Sequence, residues 1–388
     1  MAIPISYNLR NLRVRKGTTL MTALGIALTV AVLLGIGTLV EGLRNAFEVS
    51  GNPLHLIVMR QGSTSELVSI VGKASFDVIK FEDGIAEIDG EPMVSHEVVS
   101  VVNLGLRGNP EEVANVSVRG LSQVGIKMRD GVQLLEGRWF DPGKREMVVG
   151  KGVHAVREGT SIGEKIFYGR GDWEVVGVFS AGRSAFNSEI WVDANLAGSD
   201  LGRGSGRSSI LVRAKTEADA VALTNRLSDD QRLGLEAERE SDYYAKQMST
   251  ARPIEVLGVF VAVIMAIGSC FAAMNTMFAA IANRSREIAV LRLLGFSRLS
   301  VLGSFMIEAL LLSLLGGVLG CLLVLPLNGL EGRIGNAVTF AETTFQFRVT
   351  PFYIGIGLTF SLIMGVLGGF LPARLAARRD VLQSLGSN

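Results

Sequence analysis

Apolar residues gather into four long runs along the chain. Gly17–Val40, Val256–Ala282 and Val349–Ala373 carry no charge, and Leu299–Leu330 carries one, Glu308. Each run can span a hydrocarbon core, which needs roughly 20 helical residues, and buried helices of water-soluble proteins are usually shorter. The pattern predicts transmembrane helices over 17–41, 253–282, 298–328 and 350–373, so the lipid bilayer is an expected partner. Residues 42–252 read differently. The segments at 54–60, 97–104, 115–121, 145–150, 172–179, 188–193 and 208–214 alternate or are rich in β-branched residues, and turn formers bound them. Helical spacing follows over Glu217–Leu227 and again near Ser241–Met248, which can continue into the second span. The expectation is a four-helix membrane protein with a large α+β extracytoplasmic domain. The Gly/Ser-rich stretch 198–209 is expected to be a mobile loop.

Charge orients these elements. Arg10, Arg13, Arg15 and Lys16 precede the first run; Arg284, Arg286, Arg292 and Arg298 separate the second from the third; Arg374, Arg378 and Arg379 follow the fourth. Basic residues accumulate on the cytoplasmic side. Segments 1–16, 283–297 and 374–388 are therefore expected in the cytoplasm, with both termini, and 42–252 and a short loop at 329–349 outside. In segment 1–16, Ile5, Leu9 and Leu12 share a helical face, which suits an amphipathic helix along the inner interface; a plain charged anchor reads equally well. The first run exceeds a signal-peptide core, and no small-residue cleavage site follows it.

Composition excludes several chemistries. Net charge is +1, and no basic face for nucleic acid stands out. Cys270 and Cys321 lie inside apolar runs and read as packing residues. His55, His96 and His154 are widely spaced with no cysteine beside them, against a zinc site. Trp139, Trp173 and Trp191 all fall in the outer domain, where core packing is the first reading and a lipid- or peptide-contacting face the second. No catalytic constellation is visible. Gly72–Lys73 and Gly150–Lys151 lack the rest of a phosphate loop, so the 388 residues are expected neither to hydrolyse ATP nor to hold a cofactor or metal. Glu308 reads as a hydrogen-bonded packing residue or as a mechanistic one. Gly316 with Gly320, Gly365 with Gly369, and the stripe Ala23, Ala27, Ala31 have the spacing of closely packed helices, within a bundle or across a dimer.

The fragments REIAVLRLLGFSR (286–298) and IEALLLSLLGGVLG (307–320) resemble the signature of FtsX-like, MacB-type ABC transporter permeases. LLEGRWF, REMVVGKGV, SIGEKI and DWEVVGVFS, in that order, resemble the family's periplasmic core domain. The resemblance implies a type VII system: two permease subunits, as a homo- or heterodimer, on a cytoplasmic ABC ATPase dimer that binds ATP and Mg. It implies residence in the cytoplasmic (inner) membrane. It implies mechanotransmission that extrudes a lipoprotein, lipid, peptide or toxin, often with a periplasmic adaptor and outer-membrane duct. The alternative is a signalling permease that activates a cell-wall hydrolase. No fused ATPase domain is seen, so a separate ATPase is expected.

The basic insert between the second and third runs fits an ATPase-coupling helix. Ser285 can cap its N-terminus, with Glu287 in the first turn. Ile288, Leu291 and Leu294 are read as an apolar stripe, with Arg284, Glu287 and Arg292 around it. Gly295 suits the position after the C-cap, and Ser297 the N-cap of the next span. A basic linker held at the headgroups is the alternative.

Overall fold

The computed structural model describes residues 10, 14, 16–247, 252–335 and 340–378. The chain divides into two units: a membrane unit of 16–41, 252–330 and 347–378, and an outer unit of 42–247 and 331–346. The readings for 1–9, 11–13, 15 and 379–388, including Leu12, Arg13 and Arg15, and the link from Ser241–Met248 into the second span, lie outside the described residues.

Four helices of the described residues are long and apolar enough to cross a membrane. They are Lys16–Ser50, Arg252–Ala282, Arg298–Val324 and Pro351–Arg378. The first continues nine residues past the expected end at 41: no proline interrupts the segment EGLRNAFEVS, and its single glycine, Gly42, is carried within the helix. The membrane unit packs through small residues. A side chain at Gly316 would meet Ile26 at 2.8 Å, and one at Gly320 would meet the Ala27 carbonyl at 2.8 Å, so the third span approaches the first closely there. Gly365 faces Ser313 and Gly369 faces Ala309, which brings the fourth span against the third. Ala23 and Ala27 are fully buried, while Ala31 is half-buried. Hydroxyl pairs supplement this packing: Thr29 and Ser269 lie 2.7 Å apart, Thr22 and Thr276 3.2 Å. Without water as competitor, small-residue contact and such hydrogen bonds hold helices together.

The outer unit is built on a ten-stranded mixed sheet. The strands of the chain are β1 (His55–Arg60), β2 (Glu87–Ile88), β3 (Glu91–Pro92), β4 (Val94–Leu106), β5 (Asn109–Leu121), β6 (Gln133–Gly137) and β7 (Glu146–Gly150). There follow β8 (Lys165–Tyr168), β9 (Gly171–Ser180), β10 (Glu189–Asp193), β11 (Ser209–Arg213), β12 (Leu235–Arg239), β13 (Glu331–Gly335) and β14 (Glu342–Gln346). The order is β12-β1-β11-β4-β5-β10-β7-β9-β6, with β8 on β9. Pairs β10–β5 and β7–β9 are parallel. Long β4 changes partners along its length, pairing β11 through 94–97 and β5 through 98–106. Two apolar cores result. One gathers Leu56, Ile79, Ile210 and Leu223; the other gathers Val118, Val149, Trp173 and Ile190. All seven predicted strand segments contain a strand. Helix Glu217–Asp229 is capped by Thr216, whose side chain accepts from the Asp219 amide.

Two expectations are corrected. Residues 198–200 finish the helix Ala194–Asp200, and the rest of the Gly/Ser-rich stretch is pinned by its own arginines. Arg203 donates to Ser208 at 2.6 Å, and Arg207 donates to the Gly204 and Gly206 carbonyls at 2.9 Å. The presumed short loop contains the β13–β14 hairpin, which belongs to the outer unit. Its alternating Thr343 and Phe345 turn inward, Glu342 pairs with Arg157, and the Thr344 amide donates to Ser188 at 2.6 Å.

Candidate ATPase-coupling site

The basic insert folds as a short helix, Ser285–Leu293, between the second and third spans. Its N-cap is Arg284, and the Ser285 hydroxyl donates back to the Ala282 carbonyl at 2.9 Å, so the expected Ser285 cap is not formed. The short link after Ala282 keeps Ser285 beside the last turn of the span, which supplies that acceptor. The C-terminal end closes as a Schellman turn: the Gly295 amide donates to the Arg292 carbonyl at 3.2 Å, and the Phe296 amide to the Leu291 carbonyl at 3.1 Å. Gly295 has φ +93°, a left-handed conformation that side chains resist. Ser297 then caps the third span, accepting from the Ser300 amide at 3.1 Å.

The proposed stripe does not form one face. Ile288 is buried with Met277, Ile281, Val301, Phe305, Ala373 and Ala376. Leu291 is half-buried, whereas Leu294 is 68% exposed. Steps of three residues fall about 60° short of a full turn, so positions 288, 291 and 294 drift around the helix by about 120°. The exposed apolar face is instead Val290, Leu293 and Leu294, with Leu299 at the start of the next span. The angular spacing of 290 and 293 was the available signal for it.

The charges separate in the same way. Arg286, Glu287 and Arg298 are exposed. Arg292 is half-buried and donates to the Phe296 carbonyl at 3.2 Å. Arg284 turns inward, 6% exposed, and donates from Nη1 to Glu308 Oε2 at 3.3 Å. The expected rim position of Arg284 is thus corrected, and Glu308 acquires an ionic partner.

A second charged constellation lies inside the outer unit, and no local motif announced it. Arg119, on β5, donates to Glu66, Glu97 and Glu189 at 2.9–3.2 Å. Arg129 grips Glu97 with two bonds of 2.8 and 2.7 Å and lies over the Phe186 and Trp191 rings. Burial alone would push the Glu97 carboxyl up, but Arg129 and Arg119 outweigh it and hold it below the usual carboxylate range. Burial opposes the charge of Arg119 as well, and Glu189 and Glu66 more than restore it. Such an arrangement cross-links strands and offers no open coordination position. Each histidine also has a structural partner: His55 with Glu240 at 2.8 Å, His96 with the Val71 carbonyl at 3.3 Å, His154 with the Thr160 carbonyl at 3.0 Å. Among the described residues no group of three or more His, Cys, Asp and Glu could hold a metal ion. Trp173 and Trp191 are fully buried; Trp139 is half-buried and stacks on Trp191.

Comparison with known proteins gives these units a lineage. Residues 19–230 match the model of the MacB-like periplasmic core domain, and residues 259–381 match the FtsX-like permease C-terminal model. The macrolide export ATP-binding/permease protein MacB of Bordetella avium is 26% identical over 392 residues, covering 95% of this chain and 57% of that protein. The protein of that name from Escherichia coli K12 is 27% identical over 408 residues, covering 97% of this chain and 59% of that one. The chain thus spans less than two thirds of these curated relatives. Among solved structures, the periplasmic region of MacB from Actinobacillus actinomycetemcomitans aligns with TM-score 0.39 and 12% identity, over 52% of this chain and 94% of that one. The extracellular domain of the noncanonic ABC-type transporter YknZ from Gram-positive bacteria aligns with TM-score 0.36 and 16% identity, over 48% and 100%. By the family models that cover both its outer and its membrane portions, the chain belongs to the MacB-like, FtsX-type family of ABC transporter permeases.

Proposed function

We propose that this chain is the force-transmitting permease of an ABC exporter, seated in the inner membrane with both termini in the cytoplasm. The observation that carries the reading is the short helix Ser285–Leu293, which leaves Val290, Leu293 and Leu294 exposed beside Arg286 and Arg298. An apolar helix face fits a hydrophobic groove, and flanking cations steer it to an acidic rim. The groove belongs to an ABC ATPase that lies outside these 388 residues and supplies the ATP and Mg chemistry. The chain itself makes and breaks no covalent bond. Two permease copies, or one with a related partner, work as a pair. ATP-driven closure displaces the short helix, the spans follow, and the outer unit changes posture to extrude a lipoprotein, lipid, peptide or toxin. A periplasmic adaptor and outer-membrane duct complete the route.

Affinity capture from the host membrane tests this. Leu293→Asp and Leu294→Asp are expected to weaken ATPase recruitment by roughly tenfold or more each, the scale of losing a buried interface anchor. Unchanged recruitment in both variants would overturn the docking assignment. A captured adaptor or duct supports export, whereas a captured wall hydrolase points to the signalling mode.

A further inference from the structure

The Arg284–Glu308 pair lies where a flexible linker would otherwise be enough. Arg284 is 6% exposed and Glu308 7%, and sequence neighbours of both, Ile281 and Ile288 for the first and Phe305 and Ala309 for the second, pack into one apolar cluster. Taking ionised groups out of water is costly, and replacing such a pair by apolar side chains is often neutral or stabilising. Stability is therefore a poor reason for these charges. A buried pair does something an apolar contact does not: separating the partners strands both charges, so the two backbones move together or not at all. Arg284 is the N-cap of the short helix, and Glu308 lies three turns into the third span. The other end of the short helix reaches the same span through the turn at Leu294–Ser297. Two tethers, one at each end, fix its direction against that span. Ile288 packs between them, beside Val301 and Phe305.

We infer that Arg284 and Glu308 are positioning residues that make the short helix and the third span one lever. A push on Val290, Leu293 and Leu294 then shifts the span and is not absorbed by bending at the turn. This inference rests on the transmission reading above, and it assigns Glu308, the acidic residue of the third span, to that role.

The decisive variant is the apolar double substitution Arg284→Met with Glu308→Leu, which removes both charges and so leaves neither stranded. Hydrogen exchange of the outer unit is measured on the complete transporter in lipid nanodiscs, with and without ATP and Mg. The double variant is expected to assemble and melt like the wild type. The factor by which ATP alters outer-unit exchange falls towards one, a loss of roughly fivefold or more, as for removal of a site-to-site coupling. The charge swap Arg284→Glu with Glu308→Arg is expected to recover most of the response. A double variant that keeps the wild-type factor overturns the inference and leaves the pair a packing element. Should the double variant fail to assemble, Glu308→Gln is read in the same way, per bound ATPase. No response to ATP in the wild type would overturn the transmission reading itself, and this inference with it.

Discussion

The outer unit and the membrane unit both bury charge, but on different scales. Within the outer unit, Arg119 and Arg129 hold Glu66, Glu97 and Glu189 in one network that ties β5 to β4 and β10. Within the membrane unit, Arg284 meets Glu308 at 3.3 Å, and the helices otherwise pack through glycine, alanine and hydroxyl contacts together with larger apolar side chains such as Ile26, Leu34 and Phe305. The first arrangement suits a body that holds its shape: each charge has several partners, so no single small motion frees one. The second suits a body whose helices shift against one another, since a single ion pair constrains fewer elements than a network and apolar contacts carry no fixed direction.

Removal of Arg119 tests the first half of that contrast most severely. Arg119→Met leaves three carboxylates without their shared cation, and the loss is expected to reach about 3–5 kcal/mol or more. Thermal unfolding of the full chain in detergent would show it. A shift no larger than that of Glu308→Gln would break the contrast, because Glu308 faces Arg284 in a pair and not in a network of this size.

Gly365 probes the second half. A methyl group there runs into Ser313, so Gly365→Ala is expected to cost about 1–3 kcal/mol as the third and fourth spans are forced apart. Gly25 has open space around it, and Gly25→Ala should be neutral or stabilising by about 0.5–1 kcal/mol through helix propensity. Equal melting temperatures for the two variants would remove close packing as the basis of the membrane unit.

Smaller still is Gly295→Ala, which places a side chain at φ +93° and should cost about 1 kcal/mol locally. The altered turn re-aims the short helix, so ATPase recruitment should fall while overall melting barely moves. Recruitment at the wild-type level would show that the turn geometry is not needed.

The mildest effect concerns pH in the outer unit. Burial is the main cause that holds His96 near 4, against 6.5 for the free side chain. The unfolded chain then takes up more protons than the folded one between those values. His96 contributes fully above about pH 6.5, and its contribution is lost as pH falls towards 4. His96→Gln should flatten melting temperature across that window, and an unchanged slope would assign the pH dependence to other groups. Glu97 acts at lower pH, where protonation breaks its bonds to Arg129 and Arg119.

Legibility followed the range of the forces involved. The Schellman turn at Gly295 and the cap at Ser297 depend on a few neighbouring residues, and both could be read from GFS alone. The stripe of Ile288, Leu291 and Leu294 was misread because a helix turns by about 100° per residue, and spacing by threes does not hold one face. β12 went unread because only Leu235 and Ala237 mark its buried side, among the three charged residues Glu236, Glu238 and Arg239. The Arg119 network was invisible because its members stand on segments far apart in sequence.

By itself the sequence determined the four apolar helices, most of the central strands and the turns around the short helix. Length and hydropathy decide whether a segment can cross a bilayer, and local hydrogen bonds decide how a helix ends. Only the tertiary structure decided that Arg284 turns inward to Glu308, that Val290 and Leu293 form the open face, and that the 331–346 hairpin belongs to the outer unit. Each of those outcomes is set by what packs against a side chain, and that neighbour is supplied by another part of the fold.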